Sequence, residues 1–127
     1  MSVVLLVEDE PWLGELYQKL LQKNGYKVNW CRDGYEAIDS IDGQRPDVIV
    51  LDVLLPWANG IALLHELASH GDLASIPAIL CSNALPKDAN AKQLAHYGVV
   101  AALDKTTMQP KQLLAAVKKA LYANVSD

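Results

Sequence analysis

Residues 47–60 read DVIVLDVLLPWANG, and this stretch decides the fold. Val48, Ile49, Val50 and Leu51 form an unbroken apolar run. A run without polar alternation suits a strand covered on both faces, the situation inside a parallel sheet. The run stops at Asp52, and Pro56, Asn59 and Gly60 then impose a turn before the next helical pattern. In open α/β sheets, ligands bind just outside the carboxyl ends of the strands, where Asp52 is expected to lie. Taken alone, Asp52 also suits a strand-end residue that bonds its local backbone.

The pattern repeats on either side. Residues 3–7 (VVLLV) are a second apolar run, ending in Glu8, Asp9 and Glu10. Pro11 opens a helix whose apolar positions are Leu13, Leu16, Tyr17, Leu20 and Leu21, and Gly25 stops it. Residues 26–31 alternate in polarity, as an edge strand does. Asp33 caps a short helix with Ala37, Ile38 and Ile41 inward, closed by Gly43 and Pro46. Past the central strand, residues 60–70 read as a helix, 76–81 as a strand ending in Ser82 and Asn83, and 86–97 as a weaker helix ending at Gly98. Residues 99–103 read as a strand ending in Asp104 and Lys105. The last helix, 110–123, turns Leu113, Leu114, Val117 and Leu121 inward. Lys118 and Lys119 near its end suit the helix dipole.

Strands alternating with helices across short loops predict an α/β, doubly wound parallel sheet of five strands with five helices. Right-handed crossovers leave few orders, of which 2-1-3-4-5 is common at this size. The switch point then falls between the first and third strands, which end in Glu8-Asp9 and in Asp52.

Composition narrows the function. The chain has 127 residues, enough for one domain, and 51% are hydrophobic, enough for a full core. A net charge of −4 argues against direct nucleic-acid binding, which needs a basic stripe. The apolar runs are too short to span a membrane, and the start, MSVVLLVEDE, is no signal peptide. Cys31 and Cys81 match no metal or redox spacing, so a cytoplasmic protein with reduced thiols is expected. His65, His70 and His96 have no metal spacing either and read as surface helix residues. Trp12 and Trp57 read as packing residues beside the acidic loops.

Five polar groups share one rim: Glu8, Asp9, Asp52, Ser82 and Lys105. Clustered carboxylates repel one another, and a hard divalent ion relieves the repulsion. Mg2+ takes one or two carboxylates and completes its shell with water and phosphate oxygens. Lys105 offers a point charge to a phosphoryl group, Ser82 a hydroxyl, and a carboxylate can itself attack phosphorus.

In these features the chain resembles the response-regulator receiver domains of two-component signalling, with the flavodoxin-like receiver fold. The resemblance rests on Glu8-Asp9 after the first strand and on the motif D-x-x-L-P-x-x-x-G at Asp52, Leu55, Pro56 and Gly60. Ser82 and Lys105 complete it. It implies that Asp52 is the phosphoacceptor for a histidine kinase or a histidine phosphotransfer protein. It implies a Mg2+ cofactor on Asp9, Asp52, the Leu54 backbone carbonyl and, through water, Glu8. It assigns phosphoryl binding to Ser82, Asn83 and Lys105, with Ser82 as switch. The implied chemistry is Mg2+-dependent self-phosphorylation and autodephosphorylation in a signalling switch, not an enzyme acting on a separate substrate.

Three positions depart from the family pattern: Ala102 replaces the usual switch aromatic, Thr106 the usual proline, and Asn83 a smaller residue. Without the ring, activation is expected to change shape less and to rest on Ser82. Ala101 and Ala116 stand where dimerising relatives carry charges, so a weak homodimer or none is expected. Residues 1–127 read as a single receiver domain without an output domain, either a single-domain regulator or a segment ending at a linker near Asn124. Two other readings stay open. A haloacid-dehalogenase-type phosphohydrolase needs an acid two residues after its nucleophile, where this chain has Leu54. A pseudo-receiver would bind partners without being phosphorylated.

Overall fold

The computed structural model describes residues 1–52, 60–69, 73, 75–82 and 95–125. Five parallel strands form one sheet in the order β2-β1-β3-β4-β5. They are β1 (Val3–Val7), β2 (Lys27–Cys31), β3 (Val48–Asp52), β4 (Ala78–Ser82) and β5 (Val99–Asp104). The described helices are α1 (Pro11–Lys23), α2 (Gly34–Gly43), α3 (Gly60–Ala68) and α4 (Pro110–Val125). The order and the edge position of β2 are those predicted. The expected helix over 86–97 falls largely outside the described residues, as do His70, Trp57, Leu54 and Asn83. Its end is described: the Gly98 N–H donates to the Ala95 carbonyl at 3.0 Å, and Gly98 takes φ 83°.

The period of two along β1 and β3 divides the core. Val4, Leu6, Val48 and Val50 meet Tyr17 and Leu21 of α1 and Leu113 and Val117 of α4. Leu5, Val7, Ile49 and Leu51 meet Ala37 and Ile41 of α2 and Leu63, Leu64 and Leu67 of α3. Both faces being covered is why these strands read as unbroken apolar runs. Asp47 sets their register, since its carboxylate accepts from Val3 N–H at 2.8 Å and its own N–H donates to the Val3 carbonyl at 2.8 Å.

Helix ends follow the local chemistry. Gly25, at φ 92°, closes α1 in a Schellman motif, with Tyr26 N–H on the Leu21 carbonyl and Gly25 N–H on that of Gln22, each at 3.1 Å. Asp33 caps α2 by accepting from Glu36 N–H at 2.9 Å. The Ser69 hydroxyl donates to the Glu66 carbonyl at 2.6 Å, so α3 stops short of the predicted residue 70.

Other boundaries and faces correct the sequence reading. β4 begins at Ala78 rather than at 76, because Pro77 has no N–H for the ladder. It runs through Ser82, which pairs with Asp104 of β5. β5 is the second edge and carries a bulge, Ala78 facing Val99 and Ile79 facing Ala101. On α1 the buried residues are Gly14, Tyr17 and Leu21. Leu16 is half exposed and Trp12 is 63% exposed, so neither packs as expected. A period of 3.6 places Leu16 at the margin of a stripe centred on Tyr17 and Leu21.

Candidate functional site

β1 and β3 end side by side, Val7 opposite Leu51, and bring Glu8, Asp9 and Asp52 to one rim. Each of the three offers a carboxylate oxygen within 4.8 Å of the others. Asp52 is 8% exposed and Glu8 2%, whereas Asp9 is open to solvent. Lys105 follows β5 and reaches back over the sheet end. Its Nζ is 2.9 Å from Asp52 Oδ2 and 2.5 Å from Glu8 Oε1. Four of the five residues expected on the rim therefore converge through their side chains. The fifth, Ser82, occupies the predicted strand end.

The electrostatics are those of two buried carboxylates sharing one ammonium. Burial pushes the Glu8 carboxyl above its ordinary range, and the Lys105 hydrogen bond offsets that only in part. Burial pulls the Lys105 ammonium down, but the hydrogen bonds and charges of Glu8 and Asp52 outweigh it and hold Lys105 above its usual value. The cluster thus lacks positive charge. Oxygen donors this close suit a hard divalent cation, so the residues fit Mg2+. The direct Glu8–Lys105 ion pair was not legible in the sequence, where Glu8 reads as an outer partner of the metal.

The turn after β5 is locked without the usual proline. Asp104 Oδ1 accepts from the Thr106 N–H at 2.8 Å and from its hydroxyl at 2.7 Å. Thr107 and Met108 N–H groups donate to the Asp104 carbonyl at 3.2 and 2.8 Å. No cis peptide bond occurs among the described residues. Ala102 is exposed on β5, consistent with the missing ring. Cys81 is buried and its thiol is pushed up to about 12, which leaves it protonated and inert near neutral pH. His65 and His96 are exposed, as expected, and both lie against the Tyr97 ring.

A doubly wound parallel sheet with three carboxylates at its switch point, and a lysine reaching them from β5, defines a class of protein with an acidic, cation-suited site where open α/β sheets bind ligands. The comparisons make the class specific. The family model for the response regulator receiver domain matches residues 4–118. The probable transcriptional regulatory protein TcrX of Mycobacterium tuberculosis is 37% identical over 107 residues, which are 84% of this chain and 43% of that protein. Among solved structures, the signal receiver domain of a signal transduction histidine kinase from Syntrophus aciditrophicus is 30% identical. It superposes with a TM-score of 0.80 and covers 97% of this chain and 92% of that one. A CheY-like receiver domain from Methanospirillum hungatei JF-1 gives a TM-score of 0.86 at 20% identity, covering 97% and 95%, and so supports the fold alone. The chain belongs to the response regulator receiver domain family. Receiver domains are the typical phosphoacceptors of two-component systems, generally use Mg2+, and imply a histidine kinase partner. The chain spans less than half the length of TcrX. No helix among the described residues is long and apolar enough to cross a membrane.

Proposed function

We propose that Asp52 is the phosphoacceptor of a Mg2+-dependent switch. The observation that carries this reading is the buried Asp52 carboxylate at the end of the central strand, 2.9 Å from Lys105 Nζ and within the three-carboxylate cluster. A carboxylate oxygen of Asp52 forms the new P–O bond. The P–N bond to the donor's histidine breaks, and the imidazole leaves with the electron pair. Lys105 binds a phosphoryl oxygen, and Ser82 and Asn83 complete the set on the family pattern. On the family pattern Asp9 and Asp52, with Glu8 through water and the Leu54 carbonyl, would hold Mg2+, which would neutralise charge on the phosphoryl oxygens. Self-phosphorylation from small donors and autodephosphorylation belong to the same reading, as do a cytoplasmic setting and little or no homodimer through this domain. Incubation with acetyl phosphate and Mg2+ followed by intact-mass spectrometry tests it. Gain of one phosphoryl group supports the switch, catalytic turnover the phosphohydrolase, and no change the pseudo-receiver.

The cation site makes a separate prediction. Asp9 is the exposed member of the cluster, so Asp9→Ala removes charge without opening the core. Mg2+ affinity is expected to fall at least about tenfold, the effect of losing roughly 1.4 kcal/mol of binding. Isothermal titration would show it, and an unchanged affinity would place the cation elsewhere.

The donor must also lie against the rim. Beside it, Trp12, Leu13, Leu16 and Met108 line a groove whose wall includes Lys105. Exposed apolar side chains next to a reaction centre suit the helix that carries a partner's phosphohistidine. Leu16→Glu is therefore expected to slow phosphotransfer from the cognate kinase about tenfold or more, while leaving the acetyl phosphate reaction near its native rate. Equal rates for both donors in native and variant proteins would show that the donor docks on another face.

A further inference from the structure

Trp30 belongs to the edge strand β2, yet its indole reaches the acidic rim. Its Nε1–H donates to the backbone carbonyl of Glu8 at 2.9 Å. The Glu8 N–H donates to the Cys31 carbonyl at 2.9 Å, one residue beyond the end of β1. β2 thus grips both backbone groups of Glu8, one through its main chain and the other through a side chain. The peptide between Glu8 and Asp9 is planar, so a fixed Glu8 carbonyl fixes the direction in which Asp9 leaves. The loop is tied again where Glu8 Oε2 accepts from Glu10 N–H at 3.2 Å.

The indole needs room, and Gly14 supplies it. A Cβ at Gly14 would overlap Trp30 at Cζ2 and Cε2 and crowd Nε1. Glycine inside a helix is otherwise unfavourable relative to alanine, and this close approach accounts for it. On the exposed side, the Arg32 guanidinium lies 5.4 Å from the indole centroid.

We propose that Trp30, seated on Gly14, is a positioning residue for the cation site: its indole N–H sets the Glu8–Asp9 peptide and so presents the two carboxylates to Mg2+. The proposal rests on the Mg2+ reading of the rim. Trp30→Phe keeps an aromatic ring and deletes the donor. Its Mg2+ affinity, by calorimetry, is expected to be about three- to tenfold weaker than native, the range for one neutral hydrogen bond. In the native protein, the assigned Trp30 indole 1H–15N resonance is expected to move as Mg2+ is added. Gly14→Ala is expected to weaken binding to a similar degree, because the new Cβ would push the indole from its seat.

A native affinity in folded Trp30→Phe, or an indole resonance that stays in place through saturation, overturns the proposal. The resonance needs no variant, so a Trp30→Phe protein that fails to fold does not shield it. If the native chain binds no Mg2+ at all, the cation reading falls and this one with it. Native binding with an unaffected Trp30→Phe overturns this proposal alone.

Discussion

Asp52→Asn is expected to reduce phosphorylation by acetyl phosphate or by a kinase to background, without loss of fold. Asparagine matches aspartate in shape but presents a weakly nucleophilic amide where a carboxylate must attack. The three acids of the rim are not equivalent candidates. Asp52 ends the central strand and lies against Lys105, which can steady the incoming phosphoryl oxygens. Glu8 is the most buried and is itself committed to Lys105, and Asp9 stands exposed on the loop after β1. A site carried on a strand end holds its geometry better than one on a loop. Intact-mass spectrometry before and after hydroxylamine treatment checks the result, because an acyl phosphate is cleaved and a serine phosphate is not. Undiminished, hydroxylamine-sensitive labelling in Asp52→Asn would move the acceptor to another carboxylate. Resistant labelling would move it to a hydroxyl such as that of Ser82.

Lys105→Met is expected to cost about 3–5 kcal/mol of stability at neutral pH, the range for removing one member of a buried ion pair. Methionine fills much of the lysine's volume, so the loss is chiefly of charge. Glu8 and Asp52 would then face each other with no ammonium between them. The deficit should depend on pH in a defined direction. Glu8 already has a folded pKa above its ordinary value of 4.5, mainly through burial. A carboxyl raised in the folded state takes up a proton on folding, so its ionisation lowers stability as pH rises through that folded value. Without Lys105, Glu8 moves higher still. The deficit should therefore be greatest near neutrality and shrink as pH falls toward 4.5.

The native protein adds the opposite limb. Lys105, held above 10.5, contributes stability that is present below that value and lost as pH rises through its folded pKa. Mg2+ at about a hundredfold excess over its dissociation constant should return about 2.7 kcal/mol. Urea denaturation across pH, with and without Mg2+, measures all of this. A deficit below about 1 kcal/mol, the worth of an exposed pair, would mean that water or another cation already compensates the acids.

Much of this architecture was legible because it follows from one-dimensional signals. Apolar runs ending in acid announce buried strands with a polar rim, and Gly25, Asp33 and Gly98 mark helix ends through backbone conformation and local bonding. What escaped was decided by groups distant in sequence. Nothing near Gly14 indicates that an indole from residue 30 will fill its place. Glu8 and Lys105 are far apart in the sequence, so their contact awaits the closed sheet. Trp12 and Leu16 were misplaced because hydrophobicity alone does not say which edge of a helical stripe meets the sheet. The start of β4 was legible in principle, since Pro77 lacks the donor a ladder requires, but the apolar run across it hides the break.

The alternation along β1 and β3 has an evolutionary corollary. Side chains toward α1 and α4 form one packed set, and those toward α2 and α3 another, with the sheet backbone between them. Substitutions in separate sets share few neighbours and should combine additively, whereas those within a set should not. Compensating changes among descendants of this sequence are thus expected in pairs on one side of the sheet, as with Gly14 and Trp30. Each half can drift at its own pace, and the coupled history lies at the strand ends, where both halves carry the same acids.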